Sequence, residues 1–413
     1  MDYTKAFDSV EHSSLWKALA EQGTPPGYIR LLKRLYADQV GNVITDTCSK
    51  QFFILRGVRQ GDPLSSLLFN ALMESIFRSL KEKWHKTKIG LDVGASEFLT
   101  NLRFADDVIL VTDSKKGMQT MLEDLASESA KHGLHLHPDK SKVLTNSSRA
   151  TSETLKVLHM QIAVLDPRAS LKYLGRKLCM VGLHDEELNN RISAAWATFT
   201  RHRDELTNKK YPLRCRLRLF EATVGATALY GCEAWTLKLE QQRRLRTTQR
   251  KMMRAILGMK RRVVASSADS GSSDLSSNSL AESDASEGDL EPWSEFLKRA
   301  AKTVECRISA AKQEEWLTQW RRRQWRWAGK LMRTDVHKWS QKVMKWSPLL
   351  HGKKSVYRAQ SRPLKRWDTD LSDFMTDQTI DGTWQDVAQD VSKWATYEAR
   401  FVKWASDKFQ SKH

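Results

Sequence analysis

The stretch "RFADDVIL", Arg103 to Leu110, places two neighbouring carboxylates, Asp106 and Asp107, inside an apolar run. Neighbouring side chains on a strand point to opposite faces. Burying two uncompensated charges would cost several kcal/mol. The two acids therefore either mark a turn between two short strands or lie beside a cation.

The composition indicates an acidic partner. The 413 residues suggest roughly two or three domains. With 68 Lys and Arg against 49 Asp and Glu, the net charge is +19. Such an excess is typical of proteins that bind nucleic acid, although a lysine-rich soluble protein without that partner is the alternative.

The cysteines and the apolar runs indicate the compartment. The chain has 5 cysteines, widely spaced and without a C-x-x-C pair, which argues against a disulfide framework and against a zinc knuckle. No apolar run is long enough to span a bilayer, and "MDYTKAFDSV" lacks signal-peptide character. We expect an intracellular protein, nuclear or cytoplasmic, that is not secreted and has no membrane partner.

Residues 1–175 alternate between helical and strand patterns, which predicts an α+β fold with a small antiparallel sheet and packed helices. The strongest predicted helix is "QGDPLSSLLFNALMESIFRSLKEKW", with Asp62 as its cap and Pro63 in its first turn. Hairpins are predicted over residues 40–56 and around "HPDKSK", residues 137–142.

The remaining sequence divides by composition. Residues 176–262 read as basic helices, and residues 201–262 alone hold 17 Lys and Arg against 5 Asp and Glu, a net charge of +12. Residues 263–291 contain ten serines, seven acids and no Lys or Arg, which predicts a disordered linker. Residues 292–413 form a third, basic unit that holds eleven of the 15 tryptophans.

Arginine and tryptophan alternate in "WLTQWRRRQWRWAGKLMR", residues 316–333. This pattern suits contacts to a nucleic-acid backbone combined with base stacking. The alternative is a helical domain with a tryptophan core, because Trp316, Trp320 and Trp327 recur at helical spacing. The residues predicted to bind nucleic acid are Arg321, Arg322, Arg323, Trp325 and Trp327 here, and Arg243, Arg244, Arg246, Arg250 and Lys251 in the basic helices.

Three segments together indicate catalytic chemistry. "DYTKAFDSV" places Asp2 on a short strand, "RGVRQGDPLSSLLFN" forms a glycine turn that enters a helix, and "FADD" supplies two acids at a turn. A two-metal nucleotidyl-transfer site holds two Mg²⁺ ions about 3.5–4 Å apart with two or three carboxylates and the substrate phosphates. Each segment alone is weak evidence, because aspartates are common in turns.

The sequence resembles the reverse transcriptases of non-LTR (LINE-type) retrotransposons. The resemblance rests on "DYTKAFDSV", "GVRQGDPLSSLLFN", "LRFADDVIL", "GLHLHPDKSKV" and "LKYLG". It continues through "ALYGCEAW", "RRLRTTQRKMMRAILG", "RQWRWAGKLMR", "SRPLKRW" and "WATYEARFVKW". It implies a right-hand polymerase with a palm and partial fingers at 1–175, a helical thumb at 176–262 and a mostly helical C-terminal region.

The resemblance also implies roles for individual residues. Asp2, Asp106 and Asp107, with the carbonyl of Tyr3, would hold two Mg²⁺ ions, for which Mn²⁺ is a possible substitute. Phe7 would select dNTP over NTP, and Arg59, Gln60 and Gly61 would contact the incoming nucleotide. Lys140 would help pyrophosphate leave, and Tyr173, Leu174 and Gly175 would grip the primer. The implied partners are an RNA template, a DNA primer and dNTP.

The chain departs from the family pattern at its start. The strand of Asp2 begins at Met1, whereas family members carry fingers and usually an endonuclease upstream. We expect a truncated element or a reading frame begun at an internal methionine, with a fraying strand and an α-amino group that opposes metal at Asp2. The alternative function is a catalytically dead fragment that at most binds nucleic acid.

Overall fold

The computed structural model describes residues 1–94, 96–147, 154–263, 290–346 and 365–411. It divides into two compact units: Met1–Gly182 with Asp335–Ser361, and Leu183–Thr334 with Arg362–His413. The linker predicted at 263–291 lies outside the described residues except for Val263, Leu290 and Glu291. The predicted domain boundaries stay predictions.

The structure is mixed helix and small sheet, as the α+β prediction requires. The helices of the first 182 residues are α1 (Ala6–Ser9), α2 (His12–Glu21), α3 (Pro26–Tyr36), α4 (Pro63–Lys86) and α5 (Lys115–Ala130). Those that follow are α6 (Leu183–Arg201), α7 (Arg203–Thr207), α8 (Leu213–Phe220), α9 (Ala226–Ala228), α10 (Leu239–Leu257), α11 (Trp293–Ala310), α12 (Trp316–Met332), α13 (Trp339–Lys345), α14 (Thr369–Asp377), α15 (Trp384–Val387) and α16 (Val391–Gln410). None of these combines the length and the apolar character needed to cross a bilayer.

The strands are short and all lie in the first unit. They are β1 (Val40–Gly41), β2 (Phe52–Phe53), β3 (Leu91–Asp92), β4 (Phe98–Leu99), β5 (Asn101–Phe104), β6 (Asp107–Leu110), β7 (Lys142–Leu144), β8 (Thr154–Val157), β9 (Met160–Leu165), β10 (Leu171–Tyr173) and β11 (Arg176–Leu178). Four antiparallel pairs form, β1–β2, β3–β4, β5–β6 and β10–β11, together with one three-stranded sheet in the order β7–β9–β8.

Two details of the predicted sheet are wrong. The sheet is not purely antiparallel, because β7 pairs with β9 in parallel. The hairpin expected around residues 137–142 is replaced by pairings with distant segments: Leu136 pairs with Tyr3, and β7 pairs with β9. A turn-forming sequence such as "HPDKSK" predicts that the chain reverses, but it does not predict which strands then become neighbours.

Helix α4 begins as predicted. The carboxylate of Asp62 accepts hydrogen bonds from the backbone N–H of Leu64 at 3.2 Å and of Ser65 at 3.3 Å, and Pro63 occupies the first turn. These bonds satisfy donors that a helix start otherwise leaves unpaired. The buried face of α4 is central to the first core and carries Leu68, Phe69, Leu72, Met73, Ile76, Phe77, Leu80 and Trp84.

Gly57 ties the loop before α4 to the first helix. Its φ is +90°, and a Cβ on it would lie 2.7 Å from the backbone oxygen of Asp8. Its N–H donates to the carbonyl of Val10 at 2.7 Å, and the N–H of Val58 donates to Phe7 at the same distance. The close approach of two backbones therefore leaves no space for a side chain at this position.

Gly57→Ala is expected to lower the free energy of unfolding by about 2–3 kcal/mol, because the cost of the positive φ and the cost of the steric clash with Asp8 are both incurred. The matched control is Gly61→Ala, at φ +88° with nothing within 4 Å of its Cβ position. Only the backbone cost of about 1 kcal/mol is expected there. Urea denaturation of both variants measures the difference, and equal losses would contradict a steric role for Gly57.

The second unit has one core to which helices before and after the predicted linker contribute. Residues such as Phe220, Leu245, Val304, Trp316 and Trp320 belong to the same buried cluster. The ring of Phe220 stacks on that of Trp316, with centroids 5.7 Å apart. The basic helices and the tryptophan-rich helices are thus packed together.

Trp325 and Trp394 form a reciprocal pair in the second unit. Their rings stack with centroids 3.7 Å apart and planes 6° apart. The indole N–H of Trp325 donates to the carbonyl of Trp394 at 3.1 Å, and that of Trp394 donates to the carbonyl of Trp325 at 3.0 Å. The prediction that Trp325 stacks on a base is wrong, because its side chain is 0% exposed. The tryptophan-core alternative holds for Trp316, Trp320 and Trp325.

Candidate active site

The strand that carries Asp2 is paired on both sides. On one side, the Met1 amino group donates to the carbonyl of Val108 at 2.7 Å, and the N–H of Val108 donates back to Met1 at 3.3 Å. On the other side, the N–H of His137 donates to the carbonyl of Asp2 at 2.9 Å, and the Asp2 N–H donates to Ser141 Oγ at 3.3 Å. The strand for which we expected fraying is held in place.

Asp106 and Asp107 occupy the hairpin between β5 and β6. Phe104 pairs with Asp107, so Ala105 and Asp106 form a two-residue turn, with Ala105 at φ +52°. The turn predicted from "FADD" is confirmed. Because Val108 on β6 pairs with Met1, the hairpin brings its acids beside the Asp2 strand.

The three carboxylates share one electrostatic environment. The pKa of Asp107 is raised by burial and then by the negative charges of Asp106 and Asp2. All three side chains are half-buried. Like charges held together in this way favour a bound cation.

The α-amino group of Met1 also lies within reach of these acids. Its pKa is lowered by burial, while the charges of Asp107 and Asp2 act in the opposite direction. The expectation that the amino group lies near Asp2 is confirmed. Because the pKa is lowered, less positive charge opposes a metal ion near neutral pH than an ordinary amino terminus would supply.

Tyr3 is positioned by its side chain. Its hydroxyl forms a hydrogen bond of 3.0 Å with Ser129 Oγ, and burial raises its pKa to about 12. The two hydrogen bonds that flank the Tyr3–Leu136 pair use the carbonyl of Asp2 and the N–H of Thr4. The carbonyl of Tyr3 takes no part in them.

The donors fit Mg²⁺ in kind. In the part of the chain that the structure describes, no three His, Cys, Asp or Glu side chains are grouped closely enough to hold a metal ion by themselves. Mg²⁺ keeps several waters and takes its other ligands from one or two carboxylates and substrate phosphates. The half-buried carboxylates of Asp2, Asp106 and Asp107 supply oxygen donors of this kind.

The residues predicted to contact the nucleotide lie on two joined segments. The Phe7 ring is half-buried and stacks on Phe69, with centroids 4.6 Å apart and planes 15° apart. The hydrogen bond from Val58 to the Phe7 carbonyl joins this segment to the loop before α4. That loop then presents three exposed residues, Arg59, Gln60 and Gly61.

Tyr173 lies near the acidic cluster, and Lys140 is the residue before Ser141, which bonds the Asp2 backbone. The pKa of Tyr173 is raised by burial and then by the charge of Asp107. Leu174 at φ +47° and Gly175 at φ +77° form the two-residue turn between β10 and β11, for which two positive φ angles are typical. Lys140 is exposed and directly precedes Ser141.

The basic residues predicted on α10 divide into two groups. Arg243 and Lys251 are exposed. Arg246 and Arg250 both form ion pairs with Glu315, at 3.5 and 3.1 Å. Arg244 bonds Asn189 and lies 3.8 Å from Asp185. Part of the positive charge counted in the sequence is therefore balanced within the second unit.

The predicted residues on α12 also differ in their surroundings. Arg322 pairs with Glu314 at 2.7 Å and Glu398 at 3.2 Å, Arg323 donates to the carbonyl of Leu229, and Trp327 is 40% exposed. Arg321 is only 5% exposed, and its predicted role in nucleic-acid binding stays a prediction.

Sequence reasoning missed the supports of Asp2. Ser141 and His137 bond its backbone, and Ser129 fixes the neighbouring Tyr3. Two of these lie within "HPDKSK", where only Lys140 had been selected. Their position in that stretch was the one available signal, because a backbone contact leaves no trace in residue chemistry.

The profile of the reverse transcriptase (RNA-dependent DNA polymerase) family matches residues 1–178. The chain is 35% identical over 142 residues to the Pol polyprotein of the type-2 retrotransposable element R2DM of Drosophila melanogaster, covering 34% of this chain and 13% of that protein. It is 32% identical over 184 residues to the R2 Pol polyprotein of Nasonia vitripennis, covering 42% of this chain and 17% of that protein.

A third relative matches along most of its own length. It is a putative uncharacterized transposon-derived protein of Caenorhabditis elegans, 26% identical over 303 residues, which are 72% of this chain and 94% of that protein. The chain thus spans a small part of the R2 polyproteins and nearly all of the nematode protein. The family match falls on the residues that bring Asp2, Asp106 and Asp107 together. Residues 1–178 therefore match the reverse transcriptase family, and the chain is similar to the Pol polyproteins of R2 retrotransposable elements.

Proposed function

We propose that the protein is an RNA-directed DNA polymerase that transfers nucleotides from dNTP to the 3′-hydroxyl of a DNA primer during retrotransposition. The observation that supports this most directly is the convergence of Asp2, Asp106 and Asp107, with the pKa of Asp107 raised by burial and then by the charges of Asp106 and Asp2. A group of acids that repel one another is stable only where the fold forces it, and such groups are frequent at catalytic sites.

The proposed mechanism is two-metal nucleotidyl transfer. When bound, two divalent ions, Mg²⁺ or Mn²⁺, would activate the primer hydroxyl and neutralise the triphosphate. Asp2 and Asp106 would hold them, with Asp107 as the third acid and the Tyr3 carbonyl completing one shell. The Asp2 backbone accepts a hydrogen bond from the His137 N–H and donates one to Ser141 Oγ, and these bonds would keep its carboxylate beside the β5–β6 turn.

The surrounding residues would select and orient the substrates. Phe7, supported from behind by Phe69, would lie against the incoming sugar and exclude a 2′-hydroxyl. Arg59, Gln60 and Gly61 would contact the nucleotide and template. Lys140 would supply a proton or positive charge to the leaving pyrophosphate. The turn at Tyr173, Leu174 and Gly175 would hold the primer end near Asp107.

In this proposal residues 1–175 act as palm with partial fingers and 176–262 as thumb. Arg243 and Lys251 on the thumb, and Trp327 in the C-terminal region, are the exposed residues that would meet RNA or DNA. The protein would act inside the cell, in the nucleus or the cytoplasm.

Primer extension on an RNA template with dNTP and Mg²⁺ tests the proposal. Wild-type protein is expected to extend the primer, and Asp106→Asn to reduce the rate by roughly 10³-fold because it removes a metal ligand. Asp46→Asn, the same change at an exposed loop position, is expected to keep full activity. Salt-sensitive RNA binding by a wild-type protein that makes no DNA would instead establish the catalytically dead, nucleic-acid-binding alternative.

A further inference from the structure

The second unit contains a small cavity of about 170 Å³. Five charged side chains line its wall beside apolar ones: Lys238 at the start of α10, Arg321 on α12, Lys365 and Asp370 near α14, and Lys408 on α16. The half-buried indole of Trp404 forms an aromatic part of the wall. None of these residues belongs to the carboxylate site of the first unit.

Arg321 is the most deeply buried charge in this wall. Its guanidinium donates to Ser406 Oγ at 2.9 Å and to Gln242 Oε1 at 3.1 Å, and both acceptors are neutral. Across the described ranges it makes no ion pair. Burial lowers its pKa to about 10, while the charges of Asp370 and Glu315 act in the opposite direction, so it stays charged at neutral pH. A buried charge of this kind is normally held in an ion pair. Asp370 pairs instead with Lys365, and Glu315 pairs with Arg246 and Arg250.

The charges around the cavity do not cancel. Lys365 pairs with Asp370 at 2.6 Å, and Lys408 pairs with Asp373 at 2.8 Å. Four cations against these two carboxylates leave a net charge of +2, carried by Lys238 and Arg321. The N-terminal end of α10, a helix of 19 residues, reaches the same wall and adds the positive end of its dipole.

We propose that this cavity binds a phosphate group. Arginine suits phosphate because its guanidinium presents several donors in one plane. The cavity has the volume of about five or six waters at roughly 30 Å³ each, enough for a tetrahedral oxyanion. A phosphate would supply the negative charge that Arg321 lacks, and the lysines would hold it from the rim.

The phosphate can belong to a nucleic-acid strand or to a free ion. We favour the strand, because the proposed function requires contacts to a nucleic-acid backbone. The Lys408 ammonium lies 4.5 Å from the centre of the Trp404 ring, so the aromatic and charged surfaces are adjacent. The assignment to nucleic acid rests on the proposed function, whereas the phosphate site itself does not.

Thermal unfolding of the full chain in inorganic phosphate, against chloride at equal ionic strength, tests the site. Phosphate is expected to raise the Tm of wild-type protein and of Lys403→Gln, an exposed lysine on α16 outside the cavity. The increase should be lost in the double variant Lys365→Gln, Lys408→Gln. Both side chains are partly exposed, so the fold should survive, and circular dichroism checks this. An unchanged increase in the double variant would overturn the proposal.

Binding to a single-stranded RNA oligonucleotide identifies the source. In the Asp106→Asn background, without dNTP, the double variant is expected to bind several-fold more weakly. The slope of log K against log salt should fall by about 1. If phosphate raises Tm through the cavity but RNA affinity is unchanged, the ligand is a free phosphate ion and the nucleic-acid assignment is wrong. Neither assay requires polymerase activity, so a failure of the proposed function would be seen separately.

Discussion

Asp2→Asn is expected to reduce primer extension by roughly 10³-fold or more while leaving the fold intact. The side chain of Asp2 contributes a charge to the carboxylate cluster, whereas its segment is held by backbone bonds of Met1 with Val108 and of Asp2 with His137. An amide of the same shape keeps those bonds and loses the charge. Single-turnover extension with saturating dNTP measures the effect.

Asp8→Asn provides the matched control, since it makes the same change at an exposed site on α1 and should extend the primer at the wild-type rate.

The stability of Asp2→Asn gives an independent readout. The folded-state pKa of Asp107 is raised, so its ionisation costs stability once the pH rises through its unfolded value and the cost is complete above the folded value. Removing the Asp2 charge lessens this cost, and Tm at pH 7 in EDTA should not fall. A lower Tm would mean that the Asp2 carboxylate holds the fold.

Trp325→Ala is expected to destabilise the second unit by about 3–5 kcal/mol. The change empties a site that is 0% exposed, removes the stack on Trp394 and leaves the carbonyl of Trp394 without its indole donor. Guanidinium denaturation followed by circular dichroism measures the loss.

The neighbouring Trp327→Ala is the matched control, because that side chain is 40% exposed and its removal should cost much less free energy of unfolding.

Gly329→Ala tests the same packing from the side of Trp394. A Cβ at Gly329 would lie 2.5 Å from Cδ1 of Trp394, so even one methyl group should displace the ring. Similar small losses for Trp325→Ala and Trp327→Ala would contradict the assigned core.

Local features of the fold were predictable from the sequence. The cap of α4 at Asp62 and the two-residue turn in "FADD" each depend on residues within a few positions of one another. The chemistry of the candidate site was predictable for the same reason, because aspartate on a short strand and at a turn is a local pattern.

Long-range pairing was not predictable in this way. Nothing in the sequence around Leu136 indicates that it pairs with Tyr3, and the bond from His137 to Asp2 joins two backbones, for which residue type matters little. The Oγ of Ser141 also accepts from the Asp2 N–H, but a serine beside a turn does not indicate so distant a partner. The tryptophans of α12 were ambiguous for another reason. Spacing alone cannot separate a buried face from a stacking surface when arginine occupies both, as Arg321 and Arg322 do.

The double pairing of the Asp2 strand has a consequence for how the protein folds. Its partners, Val108 and His137, lie more than a hundred residues away along the chain, so both loops must close before the strand is fixed. Contacts of such high sequence separation form slowly and late. The three aspartates therefore come together only after these long-range contacts have formed.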